Sequence, residues 1–286
     1  MVVPVDHSSE TAAGRLELET LELQLLLEGV YRRYGFDFRE YALASLKRRV
    51  WRRVREEGLE TISGLLQKLL HDPACVERLI LDLSINVTAM FRDPSFYVAF
   101  REKVVALLRT YPFTRIWVAG CSTGEEVYSL AILLSEEGML ERTRIYATDI
   151  NPIVVDKARD GVFPLDKMRE YTENYIRAGG KRSFSAYYLA KYEGALFDRT
   201  LCENVVWAQH NLVQDSAFQQ FNVILCRNVM IYFDRPLQNR VHRLLHDSLE
   251  RFGILCLGHK ESIRFTEFED CYEELDPQQK LYRRTK

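Results

Sequence analysis

The sequence lacks the spacing of cysteine and histidine that marks a zinc site or a disulfide framework. Among its 286 residues there are six cysteines and six histidines, but no two cysteines form a C-x-x-C pair and no histidines cluster near them. Three of the cysteines lie inside apolar runs, where cysteine behaves as a small hydrophobic residue. We therefore expect no metal, no disulfides and a reducing, cytoplasmic environment.

Signals for membranes and nucleic acid are also scarce. Residues 1–20 carry acidic residues and lack the apolar core of a signal peptide, and no run approaches the roughly 18 apolar residues of a membrane helix. The net charge of -2 gives no overall attraction to nucleic acid. With 47% hydrophobic and 28% charged residues, the composition is that of a folded, water-soluble protein without membrane insertion.

The first part of the chain has the periodicity of helices. Residues 1–15 are small and polar and predict a flexible tail, and residues 16–85 predict a small helical domain. One predicted helix has an apolar face formed by Leu43, Leu46, Val50 and Val54. Its opposite face is basic, and the candidates there for recognition of a partner are Arg48, Arg49, Arg52 and Arg53. A solvated face with internal pairs such as Arg52–Glu56 is an equal alternative.

After about residue 115, short apolar runs alternate with amphipathic stretches, which is typical of β-α-β units around a parallel sheet. The predicted strands are residues 115–119, 144–148, 205–209, 222–226 and 253–257, and the predicted helices are 125–134 and 236–251. Residues 161–204 are too long for a simple crossover. We predict an inserted subdomain there, within a larger domain that spans residues 86–286.

A turn with two glycines, residues 120–124, follows the first predicted strand. Its small Ser122 and Thr123 are candidates to cap the helix that begins with Glu125 and Glu126. The glycines of this turn follow the pattern G-x-x-x-G. This pattern is neither the dinucleotide fingerprint G-x-G-x-x-G nor the phosphate-binding loop G-x-x-x-x-G-K-S/T. Two glutamates at a helix start repel a pyrophosphate but attract a ligand with a cationic end. On its own, the turn is equally typical of an ordinary strand-to-helix connection.

Polar side chains also follow the next three predicted strands. Asp149 lies about 25 residues past the glycine turn, where an acid binds both hydroxyls of a ribose. The alternative is an N-cap for the helix after Pro152. Asn211 is suited to pair with a purine edge or to form a turn. Arg227 and Asn228 follow an apolar strand, where polar groups face the ligand crevice.

A fifth polar segment, residues 84–94, links the helical region to the α/β region. Its Arg92 stands beside aromatic and small polar residues, and a guanidinium there can hold a substrate carboxylate through two hydrogen bonds. Taken alone, the segment fits a salt bridge between domains better than a substrate site.

Together these segments strongly resemble the CheR family, the chemotaxis-receptor glutamate methyltransferases. The matching stretches are residues 86–92, 120–126, 147–150, 211–212, 226–234 and 257–262, so the resemblance covers nearly the whole chain. The chain departs from the family at Met90, Asn222 and Lys260, where Phe, Asp and Ser are common. Lys260 lies near the expected substrate side and is a candidate to alter the choice of target.

The resemblance implies an α/β fold of the class I S-adenosylmethionine-dependent methyltransferases, Rossmann-like, with a seven-stranded mostly parallel sheet, a small N-terminal helical domain and an inserted small β-subdomain. It implies methyl transfer from S-adenosyl-L-methionine to glutamate side chains in the cytoplasmic helical region of chemoreceptors or related signalling proteins, with S-adenosyl-L-homocysteine as product. The residues expected to bind the cofactor are Asn86, Thr88, Arg92, Gly120, Glu126, Asp149, Asn211, Leu212, Arg227 and Asn228. The catalytic residues, expected nearest the methyl group, are Arg92 and Tyr232.

Within that set the resemblance assigns Glu126 to the methionine ammonium, Asp149 to the ribose, and Asn211 with Leu212 to the adenine. Two other functions remain open. One is a methyltransferase of another substrate, and the other is a non-catalytic module that binds the cofactor or a partner. A dehydrogenase is the weakest alternative because the dinucleotide glycines are missing.

Overall fold

The computed structural model describes residues 12–83 and 88–286, and the chain divides into two compact units. The first unit ends at Ile85 and the second begins at Asn86. The first helix begins at Ala12 rather than at residue 16, and the rest of the expected tail, residues 1–11, lies outside the described residues.

The described part of the first unit consists of helices α1 (Ala12–Tyr34), α2 (Leu43–Glu56), α3 (Ile62–His71) and α4 (Pro73–Leu83). Helix α1 packs on α3, and α2 packs on α3 and α4. The apolar face predicted for α2 is confirmed at Leu46, Val50 and Val54, which are buried. Leu43, at the first position of the helix, is exposed instead.

The second unit is an α/β domain. Its helices are α5 (Pro94–Ala99), α6 (Ala106–Leu108), α7 (Glu125–Glu136), α8 (Pro152–Asp160), α9 (Met168–Arg177) and α10 (Arg235–Asp247), and a π-helical segment, Phe100–Val105, joins α5 to α6. Its strands are β1 (Thr114–Ala119), β2 (Thr143–Asp149), β3 (Val162–Pro164), β4 (Tyr188–Lys191), β5 (Gly194–Phe197), β6 (Val205–Gln209), β7 (Phe221–Cys226), β8 (Leu249–Leu257), β9 (Tyr272–Asp276) and β10 (Leu281–Arg284).

Seven strands form the main sheet, in the order β6-β2-β1-β7-β8-β10-β9. Strands β6, β2, β1, β7 and β8 are parallel, and β10 runs antiparallel to both of its neighbours. The chain starts in the middle with β1, adds β2 and β6 on one side, and then returns to add β7 on the other. Strands β1 and β7 therefore flank a topological switch point, where open α/β sheets bind ligands.

The expected fold class is confirmed, and the five predicted strands are present as β1, β2, β6, β7 and β8. The predicted helix 236–251 is wrong at its end. It stops at Asp247 because Leu249 is fully buried and already pairs with Phe221 in the sheet. Strands β9 and β10 themselves contain charged residues, such as Glu273 and Glu274 in β9, so apolar patterning does not reveal them.

Between β2 and β6 the chain adds a small antiparallel sheet, in the order β3-β5-β4, and helix α9. Glu136, the last residue of α7, ties this insert to the domain. Its Oε1 accepts hydrogen bonds from the hydroxyls of Tyr175 (2.5 Å) and Tyr187 (2.9 Å) and from the N–H of Lys181 (3.0 Å). These bonds fix part of the insert at the C-terminal end of α7.

All six cysteines are free thiols, and four of them are buried. Burial raises the pKa of the Cys121 and Cys226 thiols well above the usual value, so both remain protonated at neutral pH. Within residues 12–83 and 88–286, no group of three or more His, Cys, Asp and Glu side chains is placed to hold a metal ion. No helix of the same part of the chain has the length and apolar character needed to span a membrane.

Candidate active site

Four polar loops meet at one edge of the main sheet. Strands β6, β2, β1 and β7 are neighbours and parallel, so the loops that follow them leave the sheet at the same carboxyl edge. The residues at that edge are Gly120 after β1, Asp149 at the end of β2, Asn211 after β6 and Arg227 after β7. The fold therefore brings together four predicted segments that are far apart in the sequence.

The turn after β1 requires its first glycine. Gly120 has φ +74°, and a Cβ atom there would lie 2.6 Å from Cγ2 of Val229, in the loop after β7. This close approach draws the two loops together across the switch point. The predicted capping of α7 by Ser122 or Thr123 is wrong, because the N-cap residue is Gly124, which has no side chain.

Asp149 is a buried carboxylate that organises the turn from within. Its Oδ2 accepts a hydrogen bond from the N–H of Ser122 (2.9 Å), and its Oδ1 accepts one from the N–H of Asn151 (3.0 Å). Burial raises the pKa of Asp149, and these bonds oppose that effect. The alternative of an N-cap is wrong, because Asn151 caps α8 by accepting from the N–H of Ile153 (2.9 Å). A carboxylate has about four acceptor sites, so at least one remains for a ligand hydroxyl beside the backbone donors of Asp149.

Arg227 joins three segments of the site and is only 6% exposed. Its Nη1 donates to Oε1 of Glu126 (2.5 Å), and its Nη2 donates to Oδ2 of Asp93 (3.0 Å) and to the carbonyl oxygen of Arg92 (3.4 Å). The guanidinium carbon lies 3.8 Å from the centroid of the Phe96 ring, in a cation–π contact. The buried Nε atom has no partner in the described chain. A ligand acceptor there would remove a cost of about 1–3 kcal/mol.

The charges around Arg227 favour a cationic ligand. The carboxylates of Glu126 and Asp93 against one guanidinium give these three side chains a net charge of −1 (−2 + 1). His259, whose Nε2 lies 3.9 Å from Oδ2 of Asp93, is exposed. An ammonium or sulfonium group would neutralise the cluster, whereas a pyrophosphate would be repelled.

The two adjacent glutamates of α7 have different surroundings. Glu125 is buried, and its carboxylate accepts from the hydroxyls of Thr123 (2.7 Å) and Tyr171 (3.4 Å). Burial raises the pKa of Glu125. Glu126 instead pairs with Arg227, as described above. Of the two, only Glu126 therefore faces the ligand edge, while Glu125 connects α7 to the insert through Tyr171.

A buried carboxylate also shapes the loop after β7. Glu261 is 5% exposed, and its oxygens accept hydrogen bonds from the N–H groups of Asn228 (2.9 Å), Val229 (2.9 Å), Met230 (2.8 Å) and Gly258 (2.7 Å). Burial raises the pKa of Glu261, and the four N–H donors act in the opposite direction. The carboxylate therefore fixes the backbone of the loop that begins with Arg227.

The backbone is strained around this edge. In the described chain, eight non-glycine residues have positive φ, and four of them lie in the segments just described: Phe91, Asp93, Ser122 and Asn228. Each such residue costs on the order of 1–3 kcal/mol, and strain of this kind clusters at functional sites. The concentration of strain at the switch point marks it as the functional site of the second unit.

Comparison with known proteins identifies the family. A model described as the SAM binding domain of CheR methyltransferase matches residues 86–278, and one described as the CheR all-alpha domain matches residues 21–84. The chain belongs to the CheR methyltransferase family. The two matched regions fall within the two compact units of the structure.

Three relatives that are named as methyltransferases are similar to this chain over most of its length. The Cher3 protein of Pseudomonas putida is 49% identical over 265 residues, which cover 93% of this chain and 97% of the relative. The chemotaxis protein methyltransferase of Listeria innocua is 30% identical over 82% of this chain and 87% of its own length. That of Salmonella typhimurium is 30% identical over 87% of this chain and 86% of its own length.

The cofactor of the CheR domain is S-adenosyl-L-methionine, and the residues present fit it. The net negative cluster around Arg227 suits a ligand whose charged groups are an ammonium and a sulfonium. Gly120 leaves space where a Cβ atom would collide, and the Asp149 carboxylate offers acceptors for hydroxyls. These features are compatible with the charged groups and the hydroxyl groups of this cofactor.

Asn211 and Leu212 follow β6 and are both buried. The side-chain oxygen of Asn211 accepts from the N–H of Val213 (2.9 Å), and its own N–H donates to Asp215 (2.8 Å). Asn211 therefore has the turn role that the sequence offers as an alternative. This role holds the loop after β6 in shape.

Arg92 lies in a segment that contacts Arg227, and Tyr232 lies in a turn that contacts Glu261. Arg92 is half-buried, and its carbonyl oxygen accepts from Arg227. Tyr232, also half-buried, ends the 3-10 turn Met230–Tyr232. Thr88 is half-buried, whereas Asn86 lies outside the described residues.

The four arginines of α2 that are predicted to recognise a partner have different environments. Arg48 is exposed and has no ion pair in the described chain, and Arg52 is exposed and pairs with Glu56 (2.8 Å). The Nη1 of Arg49 donates to the carbonyl oxygen of Leu83 (2.8 Å). Arg53 is buried among carboxylates of its own unit, so its guanidinium is not available to a partner.

Two functional residues escape analysis of the sequence. Asp93 precedes a proline and has the features of a helix start, and only the fold brings it to Arg227. Glu261 follows a strand and a glycine, which is a weak signal for a carboxylate at the ligand edge. Its four backbone partners come from two separate loops, and no sequence pattern encodes that.

Proposed function

We propose that the chain transfers a methyl group from S-adenosyl-L-methionine to glutamate side chains in the cytoplasmic helical region of a chemoreceptor or a related signalling protein, giving glutamyl methyl esters and S-adenosyl-L-homocysteine. The observation that carries the proposal is the hydrogen bond from Arg227, at the cofactor edge, to the backbone of Arg92. It keeps the residue proposed to orient the substrate next to the residue proposed to hold the cofactor. The names of the Listeria and Salmonella relatives support the link to chemotaxis.

The proposed cofactor contacts follow the edge of the sheet. Glu126 binds the methionine ammonium, because the cluster to which it belongs carries excess negative charge. Asp149 binds the ribose hydroxyls, and Asn211 with Leu212 lies against the adenine. The remaining members of the proposed set are Asn86, Thr88, Arg92, Gly120, Arg227 and Asn228.

The chemistry needs no general base. A glutamate carboxylate has a reference pKa of about 4.3, so it is already ionised at neutral pH. When bound, the cofactor supplies a methyl group on a positively charged sulfur, which a carboxylate oxygen accepts as the sulfur becomes a neutral thioether. The protein's contribution is alignment, which supplies roughly 7–11 kcal/mol in favourable cases. We assign that alignment to Arg92 and Tyr232.

We also propose that α2 helps to attract the substrate. Arg48 and Arg52 carry exposed positive charge, and Arg49 lies on the same helix, so an acidic receptor helix would be drawn to this surface. Arg53 leaves this set because its charge is compensated inside the unit. The competing interpretation, a solvated face, is supported at Arg52 by its pair with Glu56.

The test is transfer of labelled methyl groups to a purified chemoreceptor cytoplasmic domain from the same bacterium. We expect label that is released as methanol by mild base, because carboxyl esters are hydrolysed there while methylated nitrogen is stable. A receptor with its candidate glutamates changed to glutamine is the matched control and should remain unlabelled.

Two other outcomes would redirect the assignment. Base-stable label would indicate a methyltransferase that acts on a different group. Tight binding of S-adenosyl-L-homocysteine without any transfer would indicate a module that binds the cofactor without catalysis.

A further inference from the structure

We propose that a groove between the turn Met230–Tyr232 and the loop 260–265 binds a second carboxylate of the methyl-accepting protein, close to the glutamate being methylated. The proposal rests on the proposed function, since it names another contact with the same substrate. The groove has a volume of about 210 Å³. Small-molecule sites begin at roughly 300 Å³, so this groove suits a side chain better than a second cofactor.

The groove is lined by cations. Arg235, Lys260 and Arg264 all contribute to its surface. Within the described residues, only Arg264 has a carboxylate partner, Glu274, at 3.4 Å. Lys260 is exposed and forms no ion pair there, and Arg235 donates to the carbonyl oxygen of Phe265 (3.4 Å). Two positive charges at the groove therefore lack an internal counter-charge.

The nearby carboxylate forms no ion pair with either cation in the described chain. Among the described lining residues the only acid is Glu261, and both of its oxygens are occupied by backbone N–H donors. An incoming carboxylate would instead meet Lys260 and Arg235 as charge-assisted hydrogen-bond donors. The chemistry of the groove therefore selects an acidic side chain.

An exposed aromatic residue stands at the rim. Phe265 is 81% exposed and has φ +64°, a conformation that bulky side chains rarely adopt. Its N–H donates to Oε2 of Glu269 (2.8 Å), and the hydroxyl of Thr266 donates to the carbonyl oxygen of Ile263 (2.6 Å). The loop is thus fixed in a shape that presents Phe265 to solvent. An aromatic anchor beside cations is typical of a protein-recognition surface.

The groove is continuous with the proposed catalytic segment. Met230 and Ile231 line it, and Tyr232 is the next residue of the same turn. The side-chain amide of Gln238 donates to the carbonyl oxygens of Met230 and Phe233 (3.1 Å each), which fixes the turn. A helix that presents one glutamate near Tyr232 can therefore present another, one or two turns away, to the groove.

Binding of the substrate at the groove would depend on whether the neighbouring glutamate is already methylated. A glutamate carboxylate carries one negative charge, whereas its methyl ester is neutral. A substrate whose neighbouring glutamate is already methylated would lose the contact with Lys260 and Arg235. The enzyme would therefore prefer unmethylated segments. The KM would be lower for an unmethylated segment than for a partly methylated one, and kcat would be the same for both.

The experiment uses the full chain and two forms of a purified chemoreceptor cytoplasmic domain. Both forms keep the glutamate whose methylation is measured. The first form also keeps the neighbouring glutamate, four or seven residues away, and the second form has glutamine there as a neutral mimic of the ester. We expect KM to rise about threefold to tenfold for the second form with the wild-type enzyme, as one partly exposed charge contact implies. The Lys260→Ser/Arg235→Gln enzyme should show the higher KM for both forms, with unchanged kcat.

Controls separate recognition from folding. Lys157→Ser removes an exposed lysine of α8 that has no ion pair in the described chain, and should leave both KM values unchanged. Phe265→Gly should also raise KM, while its melting temperature stays equal to or above that of the wild type, since glycine relieves the positive φ.

The outcomes distinguish the two proposals. If the wild-type enzyme labels the receptor but the double variant retains the difference between the two forms, the groove proposal is overturned and the proposed function stands. If the wild-type enzyme places no base-labile label on the receptor, the proposed function fails and the groove proposal falls with it.

Discussion

Each unit of the chain contains a buried arginine surrounded by carboxylates. The two arginines differ in whether all of their guanidinium nitrogens have hydrogen-bond partners. In the helical unit all three guanidinium nitrogens of Arg53 are used, by Asp82, Glu57, Glu56 and the carbonyl oxygen of Arg78. In the α/β unit Arg227 binds Glu126 and Asp93, but its Nε has no partner in the described chain. The first cluster is closed, whereas the second has an open donor.

The backbone around the two arginines also differs, because it is regular around Arg53 and strained around Arg227. Arg53 lies within the regular helix α2, and its partners Asp82 and Glu57 lie in or next to regular helices. Arg227 is followed by Asn228, and its partner is Asp93, and both of these residues have positive φ. A closed ion-pair cluster on regular backbone maintains a fold, whereas an open one on strained backbone indicates a ligand site. Four tests bear on this distinction.

The largest effect is expected from removing each arginine. Arg53→Met leaves Asp82 without its arginine, and Arg227→Met leaves Glu126 and Asp93 without theirs. Removing one partner of a buried ion pair costs about 3–5 kcal/mol of unfolding free energy, here in the unit concerned. Hydrogen exchange measured separately for residues 12–83 and 88–286 should locate each loss in its own unit. Affinity for S-adenosyl-L-homocysteine should fall at least about tenfold for Arg227→Met, as loss of one charged contact implies. An equal fall in affinity for Arg53→Met would contradict the distinction.

The next effect concerns the ribose acid. Asp149→Ala removes a carboxylate proposed to accept two hydroxyls, and we expect affinity for S-adenosyl-L-homocysteine to fall roughly a hundredfold, or about 3 kcal/mol. Calorimetry measures the change directly. The control is Asp156→Ala on α8, where the side chain is exposed and pairs only with Arg159 in the described chain. Unchanged binding by a folded Asp149→Ala would remove this residue from the site.

A smaller effect is expected where the two loops touch. Gly120→Ala places a Cβ atom 2.6 Å from Val229, and overpacking of this kind costs about 1–3 kcal/mol. Gly58 of the helical unit has a similar φ of +68° but open space around it, so Gly58→Ala carries the backbone strain without the collision. We expect Gly120→Ala alone to weaken cofactor binding, with partial rescue by Val229→Ala. Equal effects of the two alanines would show that strain, and not contact between loops, matters.

The smallest effect is expected on the basic helix. Arg48→Glu should raise KM for the receptor domain about threefold at low salt and have little effect at high salt, as screened surface charges do. Arg33→Glu on α1 makes the same charge change on an exposed residue of the same unit and serves as control. A KM that does not depend on salt or on Arg48 would favour the solvated face. A change in cofactor affinity would break the separation between the units.

Much of the site was predictable because the end of a strand can be recognised in a sequence as a polar residue after an apolar run. Asp149 and Arg227 each follow an apolar run, and parallel strands place such residues at one edge. Capping of α7 was not predictable, because Ser122 and Thr123 are good caps in general, yet a glycine with positive φ takes that position. The environment of Arg53 was also hidden, since helical periodicity places it near the basic face but does not reveal three carboxylates from its own and a neighbouring helix.

The sequence alone determined the fold class, the family resemblance and the cofactor, because these depend on local patterns of apolar runs, glycines and polar strand ends. The tertiary structure alone decided which charges are compensated. It paired Asp93 with Arg227, gave Glu261 four backbone donors, and placed Lys260 and Arg235 at a groove where neither has an ion-pair partner among the described residues. The physical reason is that electrostatic and hydrogen-bond partners depend on distance in space, which strand order sets and sequence separation does not.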